Sequence, residues 1–158
     1  MATPHLGYMK KGSKLIDAGL WFIKRYSESK SLNQLTFADT PDIRSSALYD
    51  LSQVDGFQHF RHVFLVCSKQ DSYVHFDSAR IEVAQSAAKS KNAEIYIEMT
   101  KNLLRRLENT RLHKLDVRFF LEGNSFDQFI GRSAHMMYLE NTCFMNTVKF
   151  KYWNELFS

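Results

Sequence analysis

The stretch Val63-Phe64-Leu65-Val66-Cys67-Ser68-Lys69-Gln70-Asp71 decides how this chain is read. Its first five residues form a continuous apolar run rich in branched side chains, and polar residues follow at once. A short run without alternation is what a strand covered on both faces requires, as in a parallel sheet. A second run, Val117-Arg118-Phe119-Phe120-Leu121, stops at Glu122-Gly123-Asn124 and predicts a second strand of the same kind. The residues between the two runs have helical spacing. Asp77-Ser78-Ala79-Arg80 opens a helix with Ile81, Val83, Ala84, Ala87 and Ala88 on its apolar side. A longer helix, from about Asn92 to Glu108, aligns Ile95, Met99, Leu103 and Leu107 in one stripe, and Arg105-Arg106 complement the dipole at its end. Strands separated by helices imply right-handed crossovers and a parallel sheet. The expected fold class is α/β, parallel strands with flanking helices.

Further out, Lys14 to Tyr26 carries Leu15, Ile16, Gly19, Leu20 and Ile23 at helical spacing, with Ser13 as cap. Ser45 to Leu51 reads as another helix, set between Pro41-Asp42 and Asp55-Gly56, and Asn141 to Phe157 as a terminal one with an aromatic face. No repeat, low-complexity tract or linker interrupts the 158 residues, and two prolines and six glycines fit one compact unit. The 44% apolar and 24% charged residues are those of a globular protein, which excludes disorder. No apolar run approaches the ~20 residues of a membrane-spanning helix, and Met1 to Gly7 lacks the apolar core of a secretory signal. Cys67 and Cys143 lie far apart in different predicted elements and read as free buried thiols. That favours a reducing, cytoplasmic setting.

Parallel sheets place ligands beyond the carboxyl ends of their strands, and two residues fall there. Asp71 follows the first run, and His135 comes about a dozen residues after the second. Their order is that of the last two members of a Ser…Asp…His triad in an α/β-hydrolase. In such a site the imidazole takes the proton of the serine hydroxyl. The carboxylate fixes the tautomer and stabilises the imidazolium. The nucleophile is missing, since no G-x-S-x-G occurs in the chain. Asp127 is the second choice for the acid. Ser133, two residues before His135, has no nucleophile turn around it.

Several segments in chain order support the same reading. They are A-T-P-H-L-G at residues 2–7, L-I-D-A-G-L-W-F at 15–22, S-L-N-Q-L-T at 31–36 and L-Y-D-L-S at 48–52. S-K-Q-D-S-Y-V-H-F-D-S-A-R-I-E at 68–82 is the most specific, and I-G-R-S-A-H-M-M-Y-L closes the series at 130–139. Together these resemble the C-terminal half of the lipase-like serine esterase domain. The nearest likeness is to the C-terminal domain of the eukaryotic "family with sequence similarity" 135 proteins. The resemblance implies that Asp71 is the triad acid and His135, on a loop, the general base. It also implies that residues 1–158 are the C-terminal part of one hydrolase domain, whose nucleophile elbow lies upstream of A-T-P-H-L-G. It implies a carboxylic ester, such as a lipid, as substrate and no metal or cofactor. This chain alone is expected to be inactive.

The remaining candidates carry less chemistry. His59 and His62 are three residues apart, without a Cys or carboxylate at companion spacing, which argues against zinc. His5 falls near the presumed site as a loop residue, and Asp77 reads as a helix cap. The apolar positions between Gly7 and Gly56 suit a helix flanking the sheet, with a lid over an acyl pocket as the alternative. The net charge of +4 comes from scattered Lys and Arg without interleaved aromatics, so no nucleic-acid partner is expected, and membrane contact would be peripheral. The competing reading is a non-catalytic α/β scaffold or interaction module.

Overall fold

The first apolar run forms β1, His62–Cys67, which pairs in parallel with β2, Arg111–Asp116. The register runs from His62 opposite Arg111 to Cys67 opposite Asp116. The computed structural model describes residues 3–8, 30–71, 73–120 and 127–157 of the chain. In order these give α1 (Lys30–Leu35), a 3₁₀ turn (Ile43–Ser45), α2 (Ala47–Gln53), a 3₁₀ turn (Phe57–His59) and β1. Then come α3 (Phe76–Ala79), α4 (Gln85–Ala88), α5 (Ala93–Arg105), β2, α6 (Asp127–Glu140) and α7 (Thr142–Phe157). The architecture is α/β, a parallel strand pair with flanking helices. The helix expected over Lys14 to Tyr26 lies outside the described residues.

β2 is not where the apolar pattern puts it. Residues 117–120 follow the strand instead of forming it, and only the Val117 N–H continues the ladder, donating to the Cys67 carbonyl at 2.8 Å. The strand itself is Arg-Leu-His-Lys-Leu-Asp, a sequence with little apolar signal. Its polar side chains are held by neighbours. Lys114 binds Glu82 at 2.7 Å, Asp116 receives Arg80, and the His113 ring stacks on Phe64 at 4.5 Å. Val117 and Phe119 instead turn into a core beyond the end of the sheet, while Phe120 is 94% exposed.

The helix expected to open at Asp77 is two short ones. Ile81, fully buried, takes a left-handed φ of 56° and breaks the run between α3 and α4. Asp77 does not cap α3. His75 holds the cap position, and the Asp77 carboxylate stands 3.6 Å from its Nδ1. Where caps are present they follow the usual chemistry. Ser46 accepts a hydrogen bond from the Tyr49 N–H and so starts α2 slightly later than Ser45. α5 presents Met99, Leu103 and, just beyond its end, Leu107 to the core, as the stripe predicts. Cys67 and Cys143 are both free thiols, but only Cys67 is buried; Cys143, in the first turn of α7, is exposed.

Two apolar clusters meet at β1. The larger gathers Leu6, Leu48, Leu65, Ile81, Met99 and Leu103 against α2, α4 and α5. The smaller joins Cys67, Val74, Ala79, Phe119, Ala134 and Tyr138 beneath α6. Leu65 and Cys67, on one face of β1, enter these two clusters. Phe64, on the other face, packs edge-on against Tyr152 of α7 at 4.9 Å, so helices cover both faces of the strand as in a covered parallel sheet. The second cluster is the floor on which Asp71 and His135 meet.

Candidate active site

Asp71 leaves β1 through a four-residue turn. Its N–H donates to the Ser68 carbonyl at 3.3 Å, and the Gln70 N–H donates to the Ser68 hydroxyl at 3.1 Å. The Asp71 side chain is fully buried. One carboxylate oxygen, Oδ1, accepts the N–H groups of Tyr73 at 2.8 Å and Val74 at 3.0 Å. The other, Oδ2, lies 2.8 Å from His135 Nδ1. Both oxygens therefore have partners, which is how a carboxylate tolerates burial.

His135 is on a helix, not on the loop that the sequence reading expects. It falls in the second half of α6, whose buried face also carries Ala134 and Tyr138. The apolar packing of those two fixes the helix over the second cluster, and the imidazole, 20% exposed, reaches from it to Asp71. The Tyr73 ring lies 5.5 Å from the imidazole, centre to centre. With Nδ1 turned to the carboxylate, Nε2 is the nitrogen left for proton exchange. That is the tautomer a base acting on a hydroxyl requires.

Three tyrosines surround the pair, and residue-type patterns gave no sign of any of them. The Tyr8 hydroxyl donates to the Tyr73 carbonyl, which ties the segment at residues 3–8 to the turn holding Asp71. Burial first, and then the Asp71 charge, push the Tyr8 phenol above its ordinary range. The same two causes raise Tyr138. The position of Tyr138, three residues after His135 on a helix, is the one sequence signal that could have placed it.

The remaining candidates lie elsewhere. His5 packs edge-on against Phe57 at 5.8 Å, and burial drops its imidazole to about 4. His62 pairs with His113 across the strands at 3.1 Å, at the end of β1 opposite Asp71, not with His59. No group of three metal-ligating side chains occurs among the described residues. Asp127 opens α6 about two turns before His135, and its side chain and that of Ser133 lie outside the described residues. Cys67 is no substitute nucleophile. Burial, with Asp116 3.3 Å from its sulfur, pushes the thiol up to about 12, so it stays protonated at neutral pH.

Residues 1–88 match the family model described as "Putative serine esterase (DUF676)". The chain belongs to this serine esterase family. The matched region contains the segment at residues 3–8, β1 and the Asp71 turn, while His135 lies beyond it and is tied to the esterase region through the carboxylate contact. No solved structure matches the chain.

Proposed function

We propose that the chain supplies the acid and the general base of a serine hydrolase acting on carboxylic esters, with Asp71 and His135 in those roles. The observation that carries this is the 2.8 Å contact between His135 Nδ1 and the buried Asp71 carboxylate, whose second oxygen is held by two backbone N–H groups. In the reaction His135 Nε2 takes the proton of an attacking serine hydroxyl and returns it to the departing alcohol. Asp71 keeps the ring in the Nδ1–H tautomer and balances the positive charge. The serine comes from outside these 158 residues, on an elbow preceding residues 2–7 in a longer hydrolase domain. The exposed apolar side chains Met136 and Leu139, on the same helix as His135, fit a lipid ester better than a polar one.

The test starts from the reading frame 5′ of the Met1 codon. A frame encoding a G-x-S-x-G elbow is expected, and its product should hydrolyse p-nitrophenyl esters and take a fluorophosphonate label. Residues 1–158 alone should do neither. In the extended protein His135→Ala should lower kcat by about 10³-fold or more, with little change in KM. Steady turnover by the 158-residue chain, or an extended chain indifferent to His135→Ala, would overturn the assignment.

A further inference from the structure

We infer that Gln70 is a positioning residue that holds the Asp71 turn in register with the helix carrying His135. The inference rests on the Asp71–His135 reading and extends it to the group that fixes their separation. The β1–β2 ladder ends at Cys67, one bond past which the two chains part. The Gln70 side chain bridges the gap. Its Nε2 donates to the Phe119 carbonyl at 2.9 Å, and the Phe119 N–H donates to its Oε1 at 2.7 Å. The primary amide thus pairs with a backbone unit as another strand residue would. The donor must face the carbonyl and the acceptor the N–H, so only one amide orientation satisfies both.

Phe119 passes the constraint on. Its buried ring packs edge-on against Tyr138 at 5.2 Å and Phe144 at 6.2 Å, so it touches both α6 and α7. Tyr138 lies one turn from His135. A continuous set of contacts therefore runs from Asp71 through its chain neighbour Gln70, Phe119 and Tyr138 to the helix of His135. The bonds to Tyr73 and Val74 shape the turn internally, and the Val74 side chain packs in the cluster beneath α6 without directional bonds. Gln70 adds the hydrogen-bonded link that sets the register.

The readout is the His135 Nδ1 proton, seen by NMR in a dilute, monodisperse sample of the 158-residue chain as a far-downfield resonance that Asp71→Ala removes. Gln70→Met keeps the side-chain volume and deletes both bonds. It is expected to speed exchange of that proton with water about tenfold and to deprotect the Phe119 amide. Gln70→Glu retains an acceptor for the Phe119 N–H and should fall between Gln70→Met and the wild type. It also decides the question by itself if Gln70→Met does not fold. Ser46→Ala, at the cap of α2 and remote from the turn, controls for general loss of stability. The positioning role is overturned if the resonance is unmoved by the Gln70 variants, or if Ser46→Ala accelerates exchange as much as they do. If the wild type has no such resonance, the Asp71–His135 pairing fails and the role of Gln70 fails with it. A wild-type resonance indifferent to Gln70 fails the role alone.

Discussion

At the level of single residues, the two oxygens of Asp71 have separable duties. Oδ1 terminates two backbone N–H groups of the turn and Oδ2 faces the imidazole. Asp71→Ala strands those buried donors and should cost about 2–4 kcal/mol of stability, read by denaturant unfolding. Asp71→Asn keeps an acceptor for them, so the loss should stay near ~1 kcal/mol. Its amide N–H, however, would face Nδ1 and drive the proton of His135 to Nε2, which abolishes the base. Nitrogen-edited NMR of the ring distinguishes the tautomers, and an Asn variant that retains Nδ1–H would contradict the assigned geometry. His5 gives a pH signature of its own. Burial against Phe57 lowers its imidazole from 6.5 to about 4, so the unfolded chain binds a proton that the folded chain refuses. Stability from this group is complete above about pH 6.5 and declines as the pH falls toward 4, by up to about 3 kcal/mol. His5→Phe should flatten that decline. Equal acid profiles for the two proteins would show that the ring is solvated.

At the level of elements, what could be read in advance depended on which force sets each element. β1 was legible because burial on both sides demands a continuous apolar run, and α5 because its core face repeats at helical spacing. β2 was not, since its members are held by cross-strand rings and ion pairs that form only after the strands meet. The apolar residues that resembled a strand, Val117 and Phe119, are anchors of the second cluster. The loop expected at His135 came from the family resemblance, whereas the chain there is helical and α6 packs through Ala134 and Tyr138. Asp71 could be named from its place after β1, while Gln70 and the tyrosines became visible only when residues far apart in sequence met. Gly7 shows how a backbone demand hides in a motif. Its φ is 60°, and a Cβ there would stand 2.6 Å from the Leu35 carbonyl oxygen and 2.7 Å from Leu48 Cδ1. Gly7→Ala should therefore cost about 2–4 kcal/mol, the left-handed penalty plus displacement of packed neighbours. Thermal unfolding of the variant measures it, and an unchanged midpoint would mean that residues 3–8 do not dock under α1 and α2.

At the scale of the whole molecule, the question is whether these residues make a self-sufficient surface. Among the described residues the sheet holds two strands, so β1 has one strand neighbour and its other edge carries backbone N–H and C=O groups without a strand partner. Parallel sheets are ordinarily wider and covered, and an open edge is a template for pairing. Large apolar side chains stand in solvent as well, among them Phe60 at 60%, Phe120 at 94% and Phe150 at 90% exposure. A net charge of +4 opposes association only weakly over a chain of this length at physiological salt. No helix among the described residues is long and apolar enough to cross a membrane. Covering each exposed phenylalanine would return about 1.5–3 kcal/mol, a sizeable share of the about 5–15 kcal/mol that holds a domain together. If the chain is part of a longer hydrolase domain, it should self-associate when purified alone. Sedimentation should give a mass above the 18.5 kDa monomer that rises with concentration, and the thermal transition should be broad. Supplying the preceding part of the domain should return a monomeric unit with a sharp transition, because the added strand occupies the open edge of β1. A 158-residue chain that is monomeric at all concentrations and unfolds in one sharp step would instead be complete as it stands. The Asp71–His135 pair would then belong to a folded module without a nucleophile, and the interaction-scaffold reading would displace the hydrolase one.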